Sequence, residues 1–194
     1  MTAPPLILAS TSPYRARLLG QLGVAFDTAA PEVDETRLSG EGASAMVARL
    51  ARAKAGAVAA GHPQAAVLGS DQCLDLDGDI LGKPGDFATA CAQLRAAAGR
   101  TAVFRTAVCV LAPDGTEVGC EEVPFAATFR ALSDAQIERY VRHDRPLDCA
   151  GAIRAEGRAL ALMTATESRD PSALMGLPLI ATSRLLEAAG IAIP

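Results

Sequence analysis

Lysine occurs only twice in this 194-residue chain, at Lys54 and Lys83, against sixteen arginines. Where a guanidinium can serve, this chain uses one. A position that keeps lysine is a candidate for work that needs a compact ammonium, such as contact with a phosphate oxygen in a tight pocket. The alternative is chance retention on a solvated surface. Lys83 lies in Gly82-Lys83-Pro84-Gly85, where the flanking Gly and Pro fix a loop that presents the side chain or simply make a turn.

Other polar groups follow apolar runs. Ser10-Thr11-Ser12 precedes Pro13, Tyr14 and Arg15. Free N–H groups at a helix start attract an anion, and an arginine there can fork onto phosphate; an ordinary helix cap reads the same way. In Gly69-Ser70-Asp71-Gln72, an Asp at the polar end of an apolar strand is placed to hold a metal or activate water, or to make an Asx turn. Glu32, Asp34 and Glu35 form a carboxylate cluster, either metal-ligating or a solvated acidic loop. Tyr14 could stack on a base or cover a helix surface. Glu156, between Arg154 and Arg158, could be a recognition group or a salt-bridge partner. Together, a cationic first turn, two lysines, an acidic loop and a strand-end Asp describe a Mg²⁺–polyphosphate site. Neither a Walker motif nor GxGxxG is present.

The pattern predicts the elements that must position these groups. Leu6–Ala9 reads as a buried strand, followed by a helix with Ser12 as N-cap and Pro13 in its first turn. Val24–Ala29 reads as a second strand and Pro31–Gly42 as an acidic loop. Ser44–Ala60 is helical, with Met46, Val47, Leu50, Lys54 and Val58 at spacings of three and four. A strand over Ala65–Leu68 leads into a loop at Gly69–Gln72. Asp77-Gly78 marks a tight turn, and Asp86 caps a helix to Ala97. Thr101–Ala112 and Glu117–Arg130 flank Asp114-Gly115 as a long antiparallel hairpin. A helix over Ser133–Arg142, a strand over Leu160–Thr164, a loop over Ser168–Pro178 and a helix over Leu179–Ala189 complete the chain. The expected class is α/β, a mixed twisted sheet flanked by helices, built as one domain over residues 1–194 or one core with two lobes around a cleft.

Composition excludes several functions. The net charge of −4 weighs against a broad basic surface for a nucleic acid polymer, and aromatics are only 4% with no Trp, so single-strand stacking is not expected. No uncharged apolar run approaches the ~20 residues of a membrane span, and the first residues lack the basic region of a signal peptide. Five cysteines without a CxxC pair and two histidines, His62 and His143, argue against a disulfide framework or a zinc centre. The cysteines read as small core residues and the histidines as surface residues. A cytoplasmic location is the expectation, and a bound metal would be a hard ion held by carboxylates.

LILASTSPYRARLL, PEVDE, RLARAKA, LGSDQ, ILGKPG, FRALSDAQIERYV, PLDCAGAIRAEG and DPSALMGLPLI occur in this order over about residues 5 to 190. The set resembles the Maf family of nucleotide pyrophosphatases. The resemblance implies the α/β fold that family shares with inosine triphosphate pyrophosphatases, and hydrolysis of nucleoside triphosphates to monophosphate and pyrophosphate. It also implies a divalent cation, Mg²⁺ or Mn²⁺, and a homodimer. Asp71 matches the family's proton acceptor; Ser10, Arg15, Glu35, Lys54 and Lys83 match its polar site residues, with Glu35 and Asp71 as metal ligands. Tyr14, Gln72 and Glu156 look like the specificity positions of the branch acting on 7-methyl-GTP, rather than that for dTTP and UTP. Physics favours the match: an aromatic face attracts the cationic N7-methylguanine, and a carboxylate accepts from guanine N1–H and the 2-amino group. Ala16 and Ala152-Ile153-Arg154-Ala155 depart from the family pattern, and Arg154 replaces a lysine that could contact phosphate. The same chemistry on another nucleotide, and a non-catalytic nucleotide-binding regulator of cell division, are the competing readings; the pairing of Glu35 with Asp71 disfavours the regulator, since binding alone needs no base.

Overall fold

A computed structural model describes residues 3–193. Its centre is a seven-stranded mixed sheet of β1 (Leu6–Ala9), β2 (Asp27–Ala29), β3 (Ala66–Leu76), β4 (Asp79–Leu81), β5 (Thr101–Leu111), β6 (Glu117–Phe129) and β7 (Met163–Glu167). The order is β2-β1-β3-β5-β6-β7, with β4 paired to β3. β1 is parallel to both β2 and β3, and the remaining pairs are antiparallel. The β5–β6 hairpin turns at Asp114-Gly115, as expected.

Five helices cover the sheet: α1 (Pro13–Gly20), α2 (Ala43–Ala59), α3 (Phe87–Ala97), α4 (Asp134–Asp144) and α5 (Leu179–Ala188). Ser12 and Asp86 cap α1 and α3 by accepting backbone N–H groups, as their residue types predict. α2 lies on one face, where Met46, Val47, Leu50 and Val58 pack with Ile7, Val67, Cys73 and Cys109. The larger core lies on the other face, where Leu8, Leu68, Leu74 and Phe104 meet Leu18, Leu94, Ile137 and Leu186. Both histidines are exposed, and all five cysteines are free thiols, three of them buried. Among the described residues no helix is long and apolar enough to cross a membrane.

Three sequence expectations need correction. Gly69–Gln72 is not a loop but the middle of β3, because β5 supplies a paired strand opposite Ser70, Asp71 and Gln72. Polarity suggested a turn; in the fold these side chains find partners across each face of the strand. The segment before β7 forms a 3-10 turn over Ala159–Leu162, so that strand starts at Met163. β2 shortens to Asp27–Ala29, the stretch that finds register against Ile7–Ala9.

One edge of β3 is paired only in part. That edge meets β1 as far as Gly69 and β4 only from Leu74. Ser70–Cys73 therefore borders an opening between the carboxyl end of β1 and the β4 hairpin. Crevices beyond strand carboxyl ends are the usual ligand positions in α/β sheets.

α2 reaches this region because of Gly69. A Cβ there would overlap Ala51 O and Ala55 N of α2, so only glycine permits this approach. Gly69→Ala should push α2 from β3 and lower stability by ~1–3 kcal/mol, the usual range for overpacking. Denaturant midpoints at unchanged slope check this, and turnover should fall with it, since α2 carries Lys54.

Candidate active site

The opening beside β3 is a cleft of about 290 Å³ lined by several separate segments of the chain. Ser10 to Ser12 come from the β1–α1 connection, Pro13 to Arg15 from the first turn of α1, Glu35 from the acidic loop, Lys54 from α2 and Lys83 from the loop after β4. Asp148 to Ala150, Ile153 and Glu156 form a further wall with Leu174 to Gly176. Eight of the nine sequence-derived candidates line it: Ser10, Tyr14, Arg15, Glu35, Lys54, Gln72, Lys83 and Glu156. Asp71 is set behind them, with its side chain 8% exposed and in contact with Lys54.

Strand alternation sorts the residues of β3. Asp71 points to the α2 face, where Lys54 Nζ donates to its Oδ1 at 2.6 Å. The same ammonium lies 2.7 Å from Glu35 Oε1. Lys54 is buried and bridges two carboxylates; of the two Asp71 oxygens, only Oδ1 receives a hydrogen bond among the described residues. Burial raises the Asp71 pKa above the ordinary carboxylate value, against the pull of Lys54 and Arg15. Glu35 feels burial too, but hydrogen bonding from Lys54, with Lys83 and Arg15 nearby, leaves it below its ordinary value. Lys83 is exposed at the rim.

Ser70 and Gln72 point to the opposite face and hold the segment Pro171–Gly176. Ser70 Oγ lies within hydrogen-bond distance of Ala107 O at 2.8 Å and Gly176 O at 3.0 Å. Gln72 Nε2 donates to Ala173 O at 2.8 Å and Thr106 Oγ1 at 3.0 Å, and Thr106 donates to the same carbonyl. The amide nitrogen of Gln72 is thus committed to a wall of the cleft, leaving its carbonyl oxygen for a ligand. Gly176 O also accepts from Arg15 Nε at 2.9 Å. Arg15 Nη1 stands 3.5 Å from Ser10 Oγ, which accepts from Ser12 N at 3.1 Å. Desolvation lowers the Arg15 pKa, with Asp71 and Glu35 opposing that shift.

Tyr14 marks the other end. Arg154 lies over its ring, Cζ 5.8 Å from the centroid. Arg154 Nη1 donates to Asp144 O, and Arg154 is not among the residues lining the cleft. Asp148 and Glu156 are both exposed on this wall, and neither is in an ion pair among the described residues. The salt-bridge alternative for Glu156 is therefore not realised. Burial pushes the Cys149 thiol up to about 12, with Asp148 adding to the shift, so it is neutral near pH 7.

Asp148, Gly176 and the buried Asp170 escaped the sequence reading. Asp170 accepts from Ser172 N and Oγ through one oxygen and from Ile180 N through the other, fixing the segment whose carbonyl holds Arg15. The Asp-Pro-Ser run was a legible signal, since Asp before Pro at a helix start is a cap.

A family model described as Maf-like protein matches residues 5–189. The 7-methyl-GTP pyrophosphatase of Polaromonas sp. (strain JS666 / ATCC BAA-500) is 50% identical, covering 99% of this chain and 88% of its own length. The protein of that name from Xanthomonas oryzae pv. oryzae (strain MAFF 311018) is 52% identical, covering 98% and 100%. Among solved structures, the nucleoside-triphosphatase / dITP/XTP pyrophosphatase of Mycobacterium abscessus overlaps 66% of this chain and 75% of its own at 20% identity and a TM-score of 0.39, too loose a match to bear on function. Agreement at this level over nearly the whole length, together with the motif order, leads to one conclusion: the chain belongs to the Maf family.

Proposed function

We propose that this chain hydrolyses 7-methyl-GTP to 7-methyl-GMP and pyrophosphate, clearing a modified nucleotide from the pool. The observation that carries the reading is the polarity of the cleft. Arg15, Lys54 and Lys83 gather with Asp71 at one end; Tyr14 stands with the unpaired Asp148 and Glu156 at the other. 7-Methyl-GTP has the complementary polarity, a polyphosphate tail and a cationic base. The names of relatives about 50% identical agree.

In this reading Asp71 takes a proton from the water that attacks the α-phosphorus. The oxygen not held by Lys54 is the acceptor. Its raised pKa suits the role, since a base nearer the operating pH transfers protons more effectively. Arg15 and Lys83 meet negative charge on the tail, while Lys54 fixes Asp71 and Glu35. Gln72 and Ser70 hold the wall that orients Arg15. Tyr14 and Glu156 select the base, with the Tyr14 ring as the stacking surface.

Among the described residues no group of three His, Cys, Asp or Glu side chains is placed to hold a metal alone. Glu35 supplies a hard oxygen donor, and Asp71 a second while its free oxygen is not taking the proton, a set that suits Mg²⁺ or Mn²⁺ when substrate phosphates and water complete the shell. A cation held there would supply neutralisation of the pyrophosphate leaving group.

Asp71→Asn should retain nucleotide binding and lose ~10²–10⁴-fold in kcat, the usual contribution of a general base. Single-turnover assays with 7-methyl-GTP check this, and near-normal turnover would remove Asp71 from the role. Tyr14→Ala should lower kcat/KM for 7-methyl-GTP more than for GTP, by the ~0.5–2 kcal/mol of a cation over an aromatic face. A panel adding dTTP and UTP tests the substrate itself; a parent enzyme preferring a pyrimidine would overturn the base assignment and leave the hydrolysis.

The pH dependence has a definite sign. Asp71 works unprotonated, and Lys54 is a charge that lowers its pKa. Lys54→Gln removes that pull, so the Asp71 pKa should climb further and the acid limb of the residual kcat/KM profile should move to higher pH. A limb unchanged or displaced to lower pH would show that another group governs it.

A further inference from the structure

Glu156 sits on a turn that is hung from the end of α4. Arg154 N donates to Tyr140 Oη at 2.9 Å and Arg154 Nη1 to Asp144 O at 3.1 Å. Gly157 N closes the turn on Arg154 O at 3.0 Å. On the far side of Glu156, Arg158 N donates to Asp144 Oδ2 at 2.5 Å. The residues before and after Glu156 are thus tied to one aspartate and to a tyrosine one helical turn earlier.

Asp144 is an unexpected place for a carboxylate. It is the last residue of α4, where the helix dipole is negative and an anion is disfavoured. It is also 5% exposed. A buried charge needs hydrogen bonds to offset lost hydration, and Asp144 has two partners, Arg158 N and the exposed His143, whose Nδ1 lies 3.1 Å from Oδ1. Gly157 is exposed and does not have a positive φ, so backbone strain does not require glycine there. What does require it is Asp144: a Cβ at Gly157 would overlap the carboxylate. The glycine following Glu156 makes room for the aspartate that holds the turn.

We propose that Asp144 is a positioning residue which, through its bond to Arg158 N and its close fit over Gly157, fixes Glu156 at the base end of the cleft and so sets base selectivity. The proposal rests on the assignment of Glu156 to the base. Asp144 does not line the cleft. Its effect should fall on discrimination between bases and leave the phosphate chemistry alone, because Asp71, Lys54 and Arg15 stand on other elements.

The test measures pyrophosphate release from 7-methyl-GTP, GTP and UTP by the full-length parent and by Asp144→Ala, Asp144→Asn, Gly157→Ala, Glu156→Gln and the double variant Asp144→Ala/Glu156→Gln. Asp144→Ala and Gly157→Ala should each lower the kcat/KM ratio of 7-methyl-GTP over UTP roughly tenfold, the scale of one hydrogen bond to a charged group. The loss should lie in KM for the guanine nucleotides, with kcat for UTP within about twofold of the parent. Asp144→Asn keeps an acceptor for Arg158 N and should recover most of the ratio. The double variant should be no less selective than Glu156→Gln alone, because both changes act through one side chain. Equal losses on all three nucleotides, or additive losses in the double variant, would make Asp144 a general stabiliser and overturn the proposal. If Asp144→Ala does not fold, Gly157→Ala decides. A silent Glu156→Gln also overturns it, by removing Glu156 from the base; an effective Glu156→Gln beside silent Asp144→Ala and Gly157→Ala removes Asp144 alone.

Discussion

A buried carboxylate must be compensated, and the cleft is organised around how Asp71 meets that demand. Desolvation disfavours its ionised form. The compensating charge is Lys54, which also reaches Glu35 and so draws the acidic loop toward the sheet. Lys54 can reach Asp71 only because α2 lies directly on β3, and α2 can lie there only because position 69 has no side chain. Ala51 and Ala55 complete the fit. A helix that stood farther off would leave Asp71 without its cation, and a buried anion without a partner protonates.

The sheet contributes a gap. β3 changes partner on one edge, from parallel β1 to antiparallel β4, and Ser70–Cys73 has no strand beside it there. Because side chains alternate, the same stretch serves both faces at once. Asp71 turns to α2, while Ser70 and Gln72 turn to the segment whose Gly176 carbonyl holds Arg15. The ends of the flanking partners, Ser10 after β1 and Lys83 after β4, border the gap. A single interruption in strand pairing thus brings distant parts of the chain to one place without a long insertion.

Much of this was legible in the sequence. The scarcity of lysine singled out Lys54 and Lys83, and both line the cleft. Helix caps at Ser12 and Asp86 and the hairpin at Asp114-Gly115 were read from local chemistry that the fold leaves in place. Gly69–Gln72 was misread because polarity in a short run signals a turn when partners are unseen; the partners are 17 to 106 residues away in the chain. Asp144 was missed for a related reason: it accepts from the backbone N–H of Arg158, a group that any residue could supply, so nothing in the partner's identity announces the contact.

Base selection by charge needs a wall that stays anionic and does not react. Tyr14 and Cys149 satisfy the second condition, since burial raises both pKa values and leaves phenol and thiol neutral. Asp148 and Glu156 supply the carboxylates of that wall, both exposed and in no ion pair among the described residues. Arg154, two residues before Glu156, donates instead to Asp144 O and lies over Tyr14. Had Arg154 folded onto Glu156, the pair would have cancelled and the wall would have lost its preference for a cationic ring. Holding Arg154 on the end of α4 thus leaves Asp148 and Glu156 without an ion-pair partner among the described residues, which is the condition the proposed selection of a cationic base requires.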